Sequence, residues 1–162
     1  MEVLRRDFLP RDSAPLLHAA HIDAVVAVQA DQSEAETDFL LALAKEHPII
    51  RGVIGWVDLR DVDLRARVAR WRAEPLLKGF RHIAQAEPDD FLSRDDIVAG
   101  VQTIGALGYS YDVLVHPRQL HAASILAARC PDVTLVLDHC AKPPIASGDL
   151  RAWERALRAL AP

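Results

Sequence analysis

Apolar residues recur along this chain in two alternating ways. Five short runs are nearly continuous in Val, Ile and Leu: "AVVAVQ" (24–29), "IIRGVIGWV" (49–57), "LLKGFRHI" (76–83), "SYDVLVH" (110–116) and "VTLVLDH" (133–139). Each is followed by a segment whose apolar positions repeat at intervals of three and four. The runs read as strands buried on both faces, and the segments between them as amphipathic helices.

The helices carry end signals. Ser33 and Glu36 form a capping box ahead of the stripe Phe39, Leu40, Leu43 and Ala44, which predicts a helix over 33–46. "DVDLRARVARWR" (61–72) sets Leu64, Val68 and Trp71 on one face. A third helix is predicted from Ser93, with Asp96 at N3, through Ile97, Val101 and Ile104 to a stop at Gly108. Pro117 suits the first turn of a fourth, over 117–129, and "DLRAWERALRAL" (149–160) supplies a fifth.

Strict alternation with near-continuous apolar strands predicts an α/β fold, a parallel sheet covered by helices. A doubly wound sheet would place a glycine-rich turn after its first strand. The turn here, "QADQSEAE", is acidic and has no glycine. A (β/α)8 barrel instead gathers polar residues at the carboxyl ends of its strands. Those ends hold Gln29, Trp56 with Asp58, Arg81 with His82, His116 with Arg118, and Asp138 with His139. Eight units occupy about 250 residues, whereas this chain has 162. The expectation is a single incomplete barrel domain over 1–162.

Composition narrows the function. With 51% hydrophobic and 26% charged residues the chain reads as globular, and a net charge of -4 without a basic stripe argues against nucleic acid. The sequence has no apolar stretch of signal-peptide or membrane-spanning length, so a cytoplasmic protein without a membrane partner is expected. Cys130 and Cys140 match no zinc or redox spacing and read as reduced, structural thiols.

His82, His116 and His139 each end a predicted strand, where a barrel would bring them together for metal ligation or acid–base work. Each could equally bond a loop carbonyl. Alternation puts Lys78, Phe80 and His82 on one face and Gly79 and Arg81 on the other, so one of Arg81 and His82 enters a pocket. Asp138 and His139 likewise diverge if their strand stays regular. Lys142 could meet an anionic ligand, and Trp56 is either a flat wall for a ligand or a core plug. No G-x-S-x-G elbow supports covalent serine catalysis.

Six segments carry a resemblance: "RDFLP" (6–10), "VQADQSEAETDFLLALA" (28–44), "GVIGWVDL" (52–59), "LKGFRH" (77–82), "YDVLVHPRQL" (111–120) and "LVLDHCAKPPI" (135–145). In order and in combination they resemble the amidohydrolase-related lactonase family, the group of L-fuconolactonase, L-rhamnonolactonase and 2-pyrone-4,6-dicarboxylate lactonase.

The resemblance implies a (β/α)8 TIM barrel of the amidohydrolase type, with the strands here as the second to sixth. It implies a hydrolase that opens a sugar-acid lactone or similar cyclic ester by attack of activated water, in carbohydrate catabolism. His139, Arg81 and His82 would be catalytic, and Trp56, Tyr111, Arg118, Lys142 and Gln29 would bind substrate. No cofactor is fixed by the sequence. The resemblance allows one divalent metal, zinc or manganese, in the complete protein, with His139 as a ligand. The family's first-strand H-x-H pair and eighth-strand aspartate are absent from this sequence.

Five strands cannot close an eight-stranded barrel, so two sheet edges would stay unpaired. The expectation is a family member truncated at both ends, active in the complete polypeptide, with edges that allow self-association. A non-catalytic sugar-acid-binding half-barrel and a metal-dependent decarboxylase or amide hydrolase are the alternatives.

Overall fold

The structure, a computed structural model, describes residues 5–160. Its strands are β1 (Val25–Val28), β2 (Ile50–Gly55), β3 (Leu77–His82), β4 (Ser110–Val113) and β5 (Leu135–Leu137). Each lies inside one of the apolar runs. All pairings are parallel and follow chain order, β1-β2-β3-β4-β5. A doubly wound sheet reverses its order midway, whereas sequential order is that of a barrel.

Among the described residues six α-helices accompany the strands: α1 (Pro10–Ala19), α2 (Glu34–Glu46), α3 (Leu64–Ala69), α4 (Asp95–Ala106), α5 (Leu120–Arg129) and α6 (Arg151–Leu160). α1 is additional to the five predicted. It starts where the Asp12 carboxylate accepts the Leu9 N–H at 2.9 Å and Pro10 supplies the first turn. Among the described residues no helix is long and apolar enough to cross a membrane.

Three helix ends differ from their sequence signals. Ser33 accepts the Glu36 N–H at 3.2 Å, but the Glu36 carboxylate reaches past it to the Ala30 N–H at 2.8 Å. That second arm ties α2 to the residues leaving β1. α3 is shorter than 61–72 because Asp61 accepts the Asp63 N–H at 2.8 Å and holds a turn where the first helical residues were expected. Ser93 does not cap α4. Its hydroxyl donates to the Asp90 carbonyl at 2.8 Å, and Arg94, paired with Asp96, takes the cap position.

The core fills the space between sheet and helices. Val53, Phe80 and Tyr111 from the strands meet Trp71, Ile97, Val101, Ile104 and Leu126, none more than 2% exposed. Each such side chain contributes roughly 1.5–3 kcal/mol by leaving water. α2 approaches β2 closely, since a Cβ on Gly55 would stand 2.5 Å from Thr37 Cγ2. The gap lets buried Thr37 accept the Trp56 N–H at 2.9 Å and donate to the Trp56 carbonyl at 3.1 Å, which satisfies the backbone where β2 ends.

Among the described residues no helix covers the opposite, concave face of the sheet at its two edges. Val26 on edge strand β1 is 53% exposed and Val136 on edge strand β5 is 44% exposed. These positions would line the interior of a closed barrel.

Candidate active site

Arg81 organises the concave face. In the ladder it stands opposite Asp112 of β4, so both side chains share one face of the sheet. One terminal nitrogen of Arg81 donates to Asp138 Oδ2 at 2.8 Å, and the other donates to the Gln29 carbonyl. The Gln29 amide returns a bond to the Arg81 carbonyl at 3.0 Å. A side chain of the middle strand thus touches residues following both edge strands, β1 and β5, which requires the sheet to curl.

The network is withdrawn from water, with Gln29 wholly buried and the Arg81 and Asp138 side chains 12% and 14% exposed. Asp112 belongs to it and was not among the residues singled out from sequence. It is 5% exposed and its Oδ1 has no hydrogen-bond partner. Burial pushes its pKa up to about 6, the Asp138 charge adds to this, and Arg81 opposes it. The signal that could have found it is an acid inside the apolar run "SYDVLVH".

His82 lies on the other face. The Trp56 indole N–H donates to His82 Nδ1 at 3.3 Å, so Nδ1 carries the lone pair and Nε2–H donates to Glu87 Oε1 at 3.0 Å. The ring stacks on Phe91 at 4.9 Å between centroids and is 7% exposed. Both ring nitrogens are therefore engaged within the protein. Trp56 is held at its backbone by Thr37 and at its indole by His82.

The remaining sequence-selected residues sort by depth. Tyr111 is wholly buried in the core with its hydroxyl unpartnered, and burial pushes its pKa up. Strand alternation turns it away from the concave face that Asp112 shares, contrary to a place beside a ligand. His116 lies in the loop after β4, where its N–H donates to Gln119 Oε1 at 3.0 Å. Arg118 pairs with Asp89 and donates to the Gln85 carbonyl at 3.0 Å, while Lys142 Nζ donates to Gln85 Oε1 at 2.9 Å. Both cations thereby converge on the loop after β3.

β5 ends at Leu137, short of the run 133–139, because the chain turns left-handed at His139. His139 is exposed, and among the described residues no hydrogen bond engages its ring. Asp138, not His139, meets Arg81. The three strand-end histidines thus occupy separate environments, and among the described residues no three His, Cys, Asp or Glu side chains gather as a metal cluster. Cys130 is buried and Cys140 exposed, both free thiols. A groove of about 910 Å³ lies away from these residues, between α1 and α2, with Phe8, Leu16, Phe39 and Leu43 in its apolar lining.

A family model described as amidohydrolase matches residues 2–161. An L-fucono-1,5-lactonase of Burkholderia multivorans is 45% identical over 99% of this chain and 56% of its own length. An L-fucono-1,5-lactonase of Burkholderia ambifaria is 36% identical, with the same 99% and 56% coverage. A crystal structure of an amidohydrolase from Burkholderia multivorans with bound HEPES superposes with a TM-score of 0.93 at 45% identity, over 99% of this chain and 58% of that one. A second crystal form, described with bound zinc, gives 0.92 over the same 99% and 58%. The chain spans about half the length of the curated relatives it matches.

Proposed function

We propose, from the premise that this chain belongs to the amidohydrolase family, that it is part of a hydrolase that opens a sugar-acid lactone, with activity in the complete polypeptide. The observation that carries this reading is the 45% identity to an L-fucono-1,5-lactonase over 99% of the chain. The reading takes the protein to act in the cytoplasm on a small molecule, in keeping with its two free thiols.

Ring opening needs a water made nucleophilic, charge stabilisation at the carbonyl oxygen and a proton for the ring oxygen. His139, exposed beyond the end of β5, is the strand-end histidine to which this reading gives the proton transfer to or from a ligand. Lys142 and Arg118 supply positive charge beside the loop after β3, suited to the oxygens of a sugar acid. Gln29, Arg81, Asp112 and Asp138 form the floor, and His82 with Trp56 braces the loop behind it.

Catalytic zinc takes three protein ligands, and of the residues discussed His139 is the one that would be free to join such a set, in which case the metal and not the imidazole would supply the polarising charge. The described residues do not fit a complete metal site, and the steps assigned to this chain use none. The family's H-x-H pair and final aspartate are absent from the sequence, so water activation is assigned to the rest of the polypeptide.

The test is hydrolysis of L-fucono-1,5-lactone followed with a pH indicator. A polypeptide of the relatives' full length that contains this chain should turn over, and the 162-residue chain should stay at the background rate. Absence of turnover in the longer polypeptide, with sugar acid still bound, would favour the binding half-barrel instead.

A further inference from the structure

Four consecutive residues, His139, Cys140, Ala141 and Lys142, have φ of 51°, 50°, 57° and 52°, and none is glycine. Side chains disfavour this left-handed region, so such a segment persists where its surroundings over-determine it. Three bonds do so. Arg81 holds Asp138 at 2.8 Å, the Trp153 indole N–H donates to the Cys140 carbonyl at 2.7 Å, and Lys142 Nζ donates to Gln85 Oε1 at 2.9 Å. His139 stands between the first two fastenings and is exposed.

We propose that Arg81 is a positioning residue: by holding Asp138 it fixes the left-handed turn that presents the His139 imidazole, and it does not itself meet the ligand. A guanidinium that clamps an incoming carboxylate needs two donors free along one edge. In Arg81 one terminal nitrogen donates to Asp138, the other donates to the Gln29 carbonyl and, at 3.4 Å, to Gln29 Oε1, and Nε is buried without a partner. The Arg81 side chain is 12% exposed, so little of the guanidinium is open to an incoming ligand. Asp138 directly precedes His139, which makes it the shortest route from Arg81 to the imidazole.

The proposal rests on the lactonase reading only for the use made of His139, and its first test needs no activity. In the full 162-residue chain labelled with 13C and 15N, the His139 ring resonance is assigned by its loss in His139→Gln. Arg81→Lys and Asp138→Asn should each shift that resonance and the amides of residues 139–142 in the same direction. The double variant should shift them no further than either single one. Amides of α2 and β2 should stay in place, which separates a moved turn from general unfolding. Unmoved resonances of residues 139–142, or shifts that add independently, would overturn the proposal. If Asp138→Asn fails to give a folded spectrum, the exchange of Arg81→Asp with Asp138→Arg decides. Recovery of the His139 resonance supports the clamp, and failure to recover it overturns it. In a polypeptide with measurable lactone turnover, Arg81→Lys should lower kcat by about tenfold or more with KM within about twofold. A rise in KM with kcat unchanged would mean direct ligand contact and would overturn the proposal.

Discussion

Arg81 and Asp138 meet at 2.8 Å across the concave face, although β4 lies between the strand that carries Arg81 and the one that Asp138 follows. With side chains 12% and 14% exposed, the pair is shielded from water. Removing one partner of a buried pair costs roughly 3–5 kcal/mol because the other charge is left uncompensated. Asp138→Asn should lie at the lower end, about 3 kcal/mol, since Asp112 stands opposite Arg81 and leaves it a second carboxylate on the same face. Urea unfolding at neutral pH measures this, and a loss under about 0.5 kcal/mol would mean the pair is no fastening.

Asp112 predicts an unusual pH dependence. Its folded pKa of about 6 lies above the unfolded 3.8, so the folded chain holds the proton more tightly. The stability it contributes is fully present below the unfolded value and is lost as pH rises through the folded one. The total is of order 3 kcal/mol. Asp112→Asn should therefore flatten the fall in stability from pH 4 to 7 and make the chain more stable than wild type at pH 8. Urea midpoints at the two ends of that range show it, and parallel curves for both chains would contradict it.

Thr37 closes the end of β2 through both the N–H and the carbonyl of Trp56, at 2.9 and 3.1 Å. Thr37→Val keeps the shape and leaves these groups buried without partners, at a cost of about 1–3 kcal/mol. Thermal unfolding should move down accordingly. An unchanged midpoint would show that water satisfies Trp56.

The left-handed turn predicts a stabilising substitution. Cys140 has φ 50° and is exposed, so Cys140→Gly relieves the conformation without loss of packing. A gain of about 0.5–1 kcal/mol is expected in urea unfolding. Ala141 has φ 57° but is wholly buried, and Ala141→Gly should gain less because its methyl is packed.

These residues show what the sequence disclosed. The five strands and their order were legible because a strand buried on both faces must be apolar almost throughout, and "IIRGVIGWV" or "LLKGFRHI" has no other use. The opposite faces of Arg81 and His82 followed from strand alternation. The turn at 139–142 was not legible, because its left-handed backbone sits on residues with no local preference for it and is imposed by Arg81, Gln85 and Trp153 from elsewhere. Asp112 was overlooked because its meaning depends on register, which sets it opposite Arg81. Ser93 carried a cap signal that Arg94 took over, since the Ser93 hydroxyl found the Asp90 carbonyl first.

On the proposed lactonase reading, His139 is presented to the ligand by this turn and carries a proton in ring opening. The most direct measurement is kcat for L-fucono-1,5-lactone with His139→Ala in the polypeptide of full relatives' length. A loss of about 100-fold or more, with the chain still folded by circular dichroism, is the result expected. Turnover at the wild-type rate in His139→Ala would mean that His139 carries no proton in the reaction.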